Sequence, residues 1–325
     1  EGVPAVPAAG LRRRVGRPNS AWPCRSSYGL LAIVHRRQNV GHVWGKDVSA
    51  ITTVGIRDDC WLSTVVEALG PGGSGVIVVT EVLDATDVSI GQQELEAAFA
   101  AMRSEVGDSR LRAAGEHGVA RIPMGYRPWF LGLFAIDQVL AVVDRTVGDT
   151  AICHLQNGFL QRPDVGDPKE GIFQATPHRD FPRYLSGYVA SVNTLFALSE
   201  FAEERGATRV LLGSHQSDQS PNREEFLLES VPVECRPGSM VVFDSTLWHS
   251  AGENRSDDTR YAVNHQWTKS FIKQQIDYVR ALGDEILADL PERTRQLLGW
   301  YTRVVTSVDE FYRPPSERLY RSGQG

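Results

Sequence analysis

The sequence predicts an α+β protein in which helices surround a central β-sandwich or barrel. Three observations support this: helical patterns come first, short strands separated by turn residues fill the middle of the chain, and helical patterns return at its end. Helices and strands segregated in this way are typical of α+β proteins, whereas regular alternation would indicate a parallel α/β sheet. A chain of 325 residues is long enough to bury one large core.

The first 48 residues differ from the rest of the chain. They contain eight Lys or Arg residues against two acidic residues, and four prolines interrupt them. No helical or strand period runs through this segment. We expect residues 1–48 to form a disordered or irregular basic extension, with a basic arm that contacts a partner as the alternative.

Residues 49–149 are expected to be mainly helical, with one buried strand. A helix is favoured where apolar residues recur at helical spacing between an acidic start and a closing glycine. Strong helix formers and a nearly apolar segment that should be buried indicate two more helices. The expected helices are 58–70, 92–106 and 129–143, and the expected strand is 75–83.

Short strands dominate from about residue 150 to 268, followed by helices at 269–325. The strands are runs rich in β-branched and aromatic residues bounded by turn residues. The candidates are 150–156, 188–198, 207–212, 239–245 and 260–267, with helices at 270–282 and 290–300. A single domain is therefore expected over 49–325, with its strand-rich core at about 150–268.

Composition excludes several classes of function. A formal net charge of −6 gives no electrostatic basis for binding nucleic acid or an anionic membrane. The apolar runs are far shorter than the roughly 20 residues of a membrane span, and the start of the chain lacks the apolar core of a signal peptide. The four cysteines form no CxxC pair, so a thiolate zinc site is not expected. We predict a cytoplasmic protein that acts on a small molecule; its oligomeric state does not follow from the sequence.

Two histidines and one aspartate form a candidate metal site. His178 and Asp180 are two residues apart on an extended segment, so their side chains point the same way. His249 follows the strand-like run 240–245. These ligands on one face of an octahedral ferrous ion leave positions for a bidentate 2-oxo acid and for dioxygen. The HxD pair alone is weak evidence, because an isolated histidine such as His178 is more often a core or surface residue.

Arg260 makes this pattern more specific. It opens the expected strand 260–267, one face of which consists of Arg260, Ala262, Asn264 and Gln266. A guanidinium on such a polar interior face needs a partner, because a buried unpaired charge is unfavourable. The distal carboxylate of 2-oxoglutarate fits the rigid fork of an arginine. The alternative is an ion pair between Arg260 and a protein acid, Asp257 or Asp258.

These residues lie in a stretch, from about 174 to 300, that resembles the phytanoyl-CoA dioxygenase family of iron(II)- and 2-oxoglutarate-dependent oxygenases. In particular, it is similar to members that tailor bacterial and fungal secondary metabolites. The segments that carry the resemblance are 178-HRD-180, 206-GATRVLLGSH-215, 238-GSMVVFDSTLWHSAGENRSDDTR-260 and 290-LPERTRQLLG-299. The resemblance implies a double-stranded β-helix (jelly-roll, cupin-like) core with flanking helices, an Fe(II) cofactor, 2-oxoglutarate as cosubstrate, and O2.

The resemblance also implies roles for individual residues. His178, Asp180 and His249 match the iron ligands of the catalytic centre, and Arg260 matches the residue that binds the distal carboxylate of 2-oxoglutarate. Related halogenases have Gly or Ala in place of the carboxylate ligand, which leaves room for chloride. The presence of Asp180 therefore favours oxygen transfer over halogenation.

Two further positions are assigned to the cosubstrate by the resemblance. Thr208 matches a position whose hydroxyl assists the arginine, and Gln174 resembles a glutamine that lies over the bound cosubstrate. This chain departs from the family pattern in two respects. Gln174 lies four residues before His178, where two or three are expected, and Ala251 replaces a serine that contacts the carboxylate in several members. The second departure leaves Thr208 as the supplementary hydroxyl.

The implied function is hydroxylation, or another oxidation of an unactivated C–H bond, of a small-molecule metabolite, an intermediate of bacterial secondary metabolism. Two alternatives remain: a metal-dependent hydrolase with the same His/Asp/His site, and a catalytically inactive family member that binds a ligand. Arg162, Arg179 and Arg183 near the expected mouth of the pocket would suit an anionic substrate, although solvated arginines are more common.

Overall fold

The computed structural model describes residues 44, 50–163 and 173–321. The expected extension at 1–48 lies outside these residues, apart from Trp44. The strands are β1 Thr52–Gly55, β2 Val76–Thr80, β3 Val119–Arg121, β4 Ile152–Gln161, β5 Ser191–Ala197, β6 Arg209–Val210, β7 Val231–Pro232, β8 Met240–Asp244, β9 His249–Ser250 and β10 Arg260–Thr268.

Helices lie between the strands along the chain and after the last strand. They are α1 Trp61–Leu69, α2 Ala85–Val106, α3 Asp108–Ala113, α4 Pro123–Tyr126, α5 Trp129–Gly132, α6 Asp137–Thr146, α7 Arg223–Glu229, α8 Tyr278–Leu282, α9 Asp284–Ala288, α10 Glu292–Leu297 and α11 Val308–Phe311. Among the described residues, none of these helices is long and apolar enough to cross a membrane.

The strands form a large and a small sheet. The large sheet has the order β1-β2-β8-β5-β10-β4-β3, and the small sheet has the order β7-β6-β9. All pairings are antiparallel except that between β1 and β2. The predicted α+β class with a jelly-roll core is confirmed. The division at about residue 150 stays a prediction, although β1, β2 and β3 from the expected helical part join the large sheet.

Strands β2 and β8 of the large sheet are buried on both faces, which explains why they are nearly continuous apolar runs. In β2, Ile77 and Val79 pack into the core on the helical side. Val76 and Val78 of the same strand pack into a second core with residues of the small sheet, including Val210. Because side chains alternate along a strand, one short run supplies both cores.

Helix α2 packs across the end of the large sheet and begins earlier than the predicted 92–106. Asp84 caps it by accepting hydrogen bonds from the backbone amides of Thr86 and Asp87, at 2.8 and 2.9 Å. Its Leu95 side chain lies against Gly158 of β4, where an added Cβ would be 2.2 Å from Leu95 Cδ1. The glycine therefore permits the close contact between helix and strand.

The predicted helix at 129–143 is wrong as a single element. The chain instead forms α5, a 3₁₀ turn over Leu133–Ala135, and α6. The break lies at Ile136, whose backbone is extended (φ −70°, ψ 122°), and α6 starts at the next residue. Apolar composition predicted burial here but not where the backbone changes direction.

Only the end of the predicted helix at 270–282 is helical, as α8, which Asp277 caps. Upstream, the Gln275 backbone amide donates a hydrogen bond to the His154 carbonyl of β4 at 3.2 Å. Such tertiary hydrogen bonds replace those of a longer helix. The predicted strand 207–212 is similarly shorter, since only β6 has strand pairing.

The contact between the helical layer and β10 should be a major source of stability. Phe134 is fully buried, and its ring centroid lies 5.3 Å from that of Trp267. We expect Phe134→Ala to lower the free energy of unfolding by about 3–5 kcal/mol, measured by chemical denaturation. The matched control is Phe271→Ala at a side chain that is 63% exposed. Equal losses in the two variants would contradict this assignment of the core.

Candidate metal centre

The candidate metal centre is built on a short antiparallel pairing of two chain segments. His178 N donates to the His249 carbonyl at 2.9 Å, and His249 N donates to the His178 carbonyl at 3.0 Å. Residues directly opposite one another in such a pair project from the same face. The two imidazole centroids are accordingly 4.3 Å apart.

Asp180 completes the group. Its Oδ1 lies 3.6 Å from His178 Nε2, and its Oδ2 lies 3.7 Å from His249 Nε2. The candidate ligand atoms of the three residues all lie within 4.8 Å of one another. One ion between them is therefore within reach of two imidazoles and a carboxylate, the set typical of non-haem ferrous oxygenases.

Both histidines are held in the tautomer that a metal requires. His178 Nδ1 lies 2.8 Å from the Thr176 carbonyl, and His249 Nδ1 lies 2.9 Å from the Leu247 carbonyl. A carbonyl only accepts, so each Nδ1 carries the proton and each Nε2 presents a lone pair. His178 Nε2 is buried without a hydrogen-bond partner among the described residues. Burial lowers the pKa of His249, and the nearby Asp180 carboxylate partly offsets this effect. Two imidazoles with free Nε2 lone pairs and one carboxylate therefore fit a divalent metal.

Arg179, between two of these ligands, holds a neighbouring loop in place. Its Nη2 group donates to the backbone carbonyls of Ser214, Ser217 and Gln219. Its guanidinium also lies 5.0 Å from the ring centroid of Trp248, beside His249. The side chain thus connects both ligand-bearing segments to the loop at 214–219.

The arginines at the mouth of the pocket give little support to an anionic substrate. Arg179 is engaged as described, and Arg162 pairs with Glu96 at 3.4 Å. Arg183 is exposed to solvent. This agrees with the more common explanation, in which such arginines serve structure or solubility.

Arg260 is buried, with 4% of its surface exposed. Its Nε donates to Gln161 Oε1 at 2.9 Å, and Nη1 makes a long contact of 3.5 Å with Thr208 Oγ1. Its guanidinium lies 4.8 Å from the ring centroid of Phe201. Burial lowers the pKa of Arg260 to about 10, so the group is still a cation at neutral pH.

This cation has no anionic partner in the described part of the chain. No carboxylate there lies within 4.0 Å of the guanidinium, and Asp258 pairs instead with Arg205 at 2.9 Å. The alternative of a protein ion pair with Asp258 is therefore wrong. A buried, charged fork without an anion has the geometry and charge to fit a carboxylate from outside the protein.

A cavity of about 230 Å³ joins Arg260 to the metal candidates. All six residues that the sequence assigns to the site line it: Gln174, His178, Asp180, Thr208, His249 and Arg260. Gln174 is fixed by its carbonyl, which accepts from Ala251 N at 2.8 Å. The expectation that Arg260, Asn264 and Gln266 face a polar interior also holds, since each lines this cavity.

Sequence reasoning missed the contribution of β4. Gln161 orients Arg260, and Asn157 and His154 line the cavity. The available signal was the pair of polar residues Asn157 and Gln161 on one face of β4, opposite the polar face of β10. Asn157 lies directly opposite Asn264 in the sheet.

A buried hydrogen-bond network stands beneath the site. Asn264 Nδ2 donates to Asn193 Oδ1 at 2.9 Å, and Asn193 Nδ2 donates to Ser245 Oγ at 2.7 Å. Ser245 Oγ also accepts from Ser191 Oγ at 2.7 Å, and Ser191 Oγ accepts from Gln266 Nε2 at 3.1 Å. The network fixes the orientation of the polar side chains on three adjacent strands.

Several known proteins are similar to this chain. The family model described as phytanoyl-CoA dioxygenase matches residues 73–262. An uncharacterised protein of Mycobacterium tuberculosis, Rv1501, is 50% identical over 253 residues, which cover 77% of this chain and 92% of that protein. The dioxygenase AndF of Emericella variicolor is 40% identical over 114 residues, covering 34% of this chain and 39% of that enzyme.

A solved structure shares the fold. The crystal structure of EctD from S. alaskensis with 2-oxoglutarate and 5-hydroxyectoine superposes with a TM-score of 0.51 at 17% identity. The match covers 62% of this chain and 74% of EctD. At this level of identity the similarity supports the fold alone.

His265 lies on the face of β10 that points away from the cavity, and its protonation is linked to folding. Gln156 Nε2 donates to its Nε2 at 2.7 Å, and burial lowers the pKa of His265 to about 3. The unfolded chain therefore binds a proton below pH 6.5 that the folded protein does not, so stability falls as the pH drops from 6.5 towards 3. We expect His265→Phe to lose less unfolding free energy on acidification, by up to about 1.4 kcal/mol per pH unit. Denaturant unfolding at pH 7 and pH 4.5 measures the unfolding free energy of both proteins. Equal losses on acidification in the wild-type protein and in His265→Phe would contradict this prediction.

Proposed function

Because this chain belongs to the phytanoyl-CoA dioxygenase family, we propose that it hydroxylates an unactivated C–H bond of a small-molecule metabolite. As a member of this family, the protein is an enzyme, an iron(II)- and 2-oxoglutarate-dependent dioxygenase that consumes O2. We further propose that the metabolite is an intermediate of bacterial secondary metabolism, on the basis of the segments that resemble tailoring enzymes.

His178, Asp180 and His249 are the proposed iron ligands. The support is their geometry: two Nε2 lone pairs, fixed by backbone carbonyls, converge with one carboxylate on a common point. Three protein ligands on one side leave the opposite side free for cosubstrate and dioxygen. When bound, iron and 2-oxoglutarate supply the oxidising chemistry, while the protein supplies orientation and a water-poor cavity.

The observation that carries the proposal is the buried, anion-free guanidinium of Arg260 in the same cavity. A dicarboxylate that reaches the metal with one end and Arg260 with the other would neutralise this charge. Gln161 holds the guanidinium in orientation, and Thr208 stands beside it. Gln174, on the cavity wall, is the proposed cover of the bound cosubstrate.

A metal-dependent hydrolase at the same ligands is less well supported. Hydrolysis needs a metal-bound water but no second carboxylate, so Arg260 would remain a buried cation without an anion. Asp180 likewise favours oxygen transfer over halogenation, because its carboxylate occupies the place that chloride would need.

Loss of one ligand should abolish both metal binding and turnover. We expect Asp180→Ala to weaken ferrous binding by at least about tenfold, as for removal of a charge-assisted ligand, and to remove succinate formation from 2-oxoglutarate. Calorimetry with Fe(II) under anaerobic conditions and a succinate assay measure the two effects. The matched control, Asp309→Ala at an exposed position, should change neither. Unchanged iron affinity in Asp180→Ala would refute the ligand assignment.

The role of Arg260 predicts a selective loss of cosubstrate affinity. Removing one partner of a buried charge pair costs about 2–5 kcal/mol, so Arg260→Gln should raise the KM for 2-oxoglutarate by at least about thirtyfold. Iron affinity, measured without 2-oxoglutarate, should not fall, because the substitution removes a positive charge from the cavity. Arg260→Lys keeps the charge but loses the fork, and an intermediate KM is expected. A normal KM in Arg260→Gln would show that Arg260 does not bind the distal carboxylate.

A further inference from the structure

The cavity continues along β10 beyond the part that 2-oxoglutarate would fill. Asn264 and Gln266 line it, about 13 and 20 Å along the strand from Arg260 at the usual rise per residue. A five-carbon dicarboxylate is only about 7 Å long, judging from standard bond lengths. The region beside Gln266 is therefore available to another molecule.

The charged side chains that line this cavity, among the residues described, are already engaged. Asp180 belongs to the metal centre, and Arg260 belongs to the proposed cosubstrate site. Arg121 pairs with Glu116, with 3.1 Å between Nε and Oε2, and Arg179 donates to backbone carbonyls. A cationic substrate would find no free carboxylate here, and burying its charge would be unfavourable.

At the end of the cavity near Gln266, two buried hydrogen-bond acceptors are left without a donor, and they would repel an anionic group. The amide nitrogens of Asn264 and Gln266 both donate into the network beneath the site. Their oxygens therefore point away from it, and Asn264 Oδ1 is buried without a partner among the described residues. Asn264 is 7% exposed, so this oxygen lacks bulk water to compensate it.

His154 adds a second acceptor from the neighbouring strand. Between Gln266 and Trp267 the pairing of β10 moves from Leu155 to Cys153, so His154 is the extra residue of a β-bulge. Bulges redirect a side chain, and the His154 ring lines the cavity with its Nδ1 buried and unpartnered. Burial lowers the pKa of His154, which leaves a neutral imidazole with an acceptor nitrogen.

We infer that the substrate is a neutral molecule whose hydroxyl or amide N–H groups donate hydrogen bonds to Asn264 Oδ1 and His154. This inference rests on the proposed function, since it assigns the Arg260 end of the cavity to 2-oxoglutarate. Leu155, Phe159 and Phe243 on the cavity wall accommodate the carbon skeleton. Asn264 and His154 are thus specificity-determining residues.

Three probes with one carbon skeleton separate charge from hydrogen-bond donation. They are cyclohexanecarboxamide, which is neutral and donates; methyl cyclohexanecarboxylate, which is neutral and only accepts; and cyclohexanecarboxylate, which is charged. Binding is measured by thermal-shift titration of the protein loaded with Fe(II) and 2-oxoglutarate without oxygen. We expect the amide to bind about tenfold more tightly than either of the others, the effect of one hydrogen bond.

The variant His154→Phe tests the assigned residue. It keeps the ring and removes an unpartnered nitrogen, so the melting temperature of the ligand-free protein should stay the same or rise, while the preference for the amide falls about tenfold. The affinity for 2-oxoglutarate should not change. The matched control is His117→Phe, whose Nδ1 is also unpartnered but which does not line the cavity; it should retain the full preference.

The possible outcomes test the proposed function and the substrate inference separately. Failure of the wild-type protein to bind 2-oxoglutarate would overturn the proposed function itself. If 2-oxoglutarate binds normally, two results would overturn the substrate inference alone: no preference for the amide, or equally tight binding of the carboxylate. A clear loss of melting temperature in His154→Phe, with the preference intact, would show that His154 is merely structural.

Discussion

The reciprocal backbone hydrogen bonds between His178 and His249 are the constraint on which the centre depends. They join the segment at His178 to β9, the edge strand of the small sheet. Candidate metal ligands that are far apart in sequence are thereby brought together. Each imidazole is then held by the carbonyl two residues before it. Backbone geometry thus fixes position, rotamer and tautomer before any metal is considered.

The large sheet explains why such a centre can lie in an interior. Its central strands are buried on both faces. The helical side is mainly apolar, and the other side is divided between an apolar core and a polar cavity. Strand β10 shows this division within one element, since Val263 and Trp267 face the helices while Asn264 and Gln266 line the cavity. The polar side chains are acceptable there because a network satisfies most of their hydrogen-bonding groups.

Much of this was predictable from local patterns, and the exceptions have physical causes. The spacing of His178, Asp180, His249 and Arg260 predicted a group that the structure brings together at one cavity. Most strand positions followed from runs of β-branched and aromatic residues between turn residues. The roles of Gln161 and His154 could not be predicted, because one depends on a contact between distant segments and the other on a bulge. Helix boundaries failed for the same reason at 270–282, where bonds to β4 compete with the helix.

The burial of Arg260 has a consequence for how ligands assemble. Asp180 and Arg260 carry opposite single charges at different parts of the cavity. A divalent cation alone would add two positive charges to a poorly solvated space, and a dianion alone would add two negative charges. Each therefore stabilises the other, and by thermodynamic reciprocity the affinity of the protein for either partner rises in the presence of its counterpart. Loading of the site is in this sense cooperative, and the cooperativity comes from charge balance rather than from a conformational change.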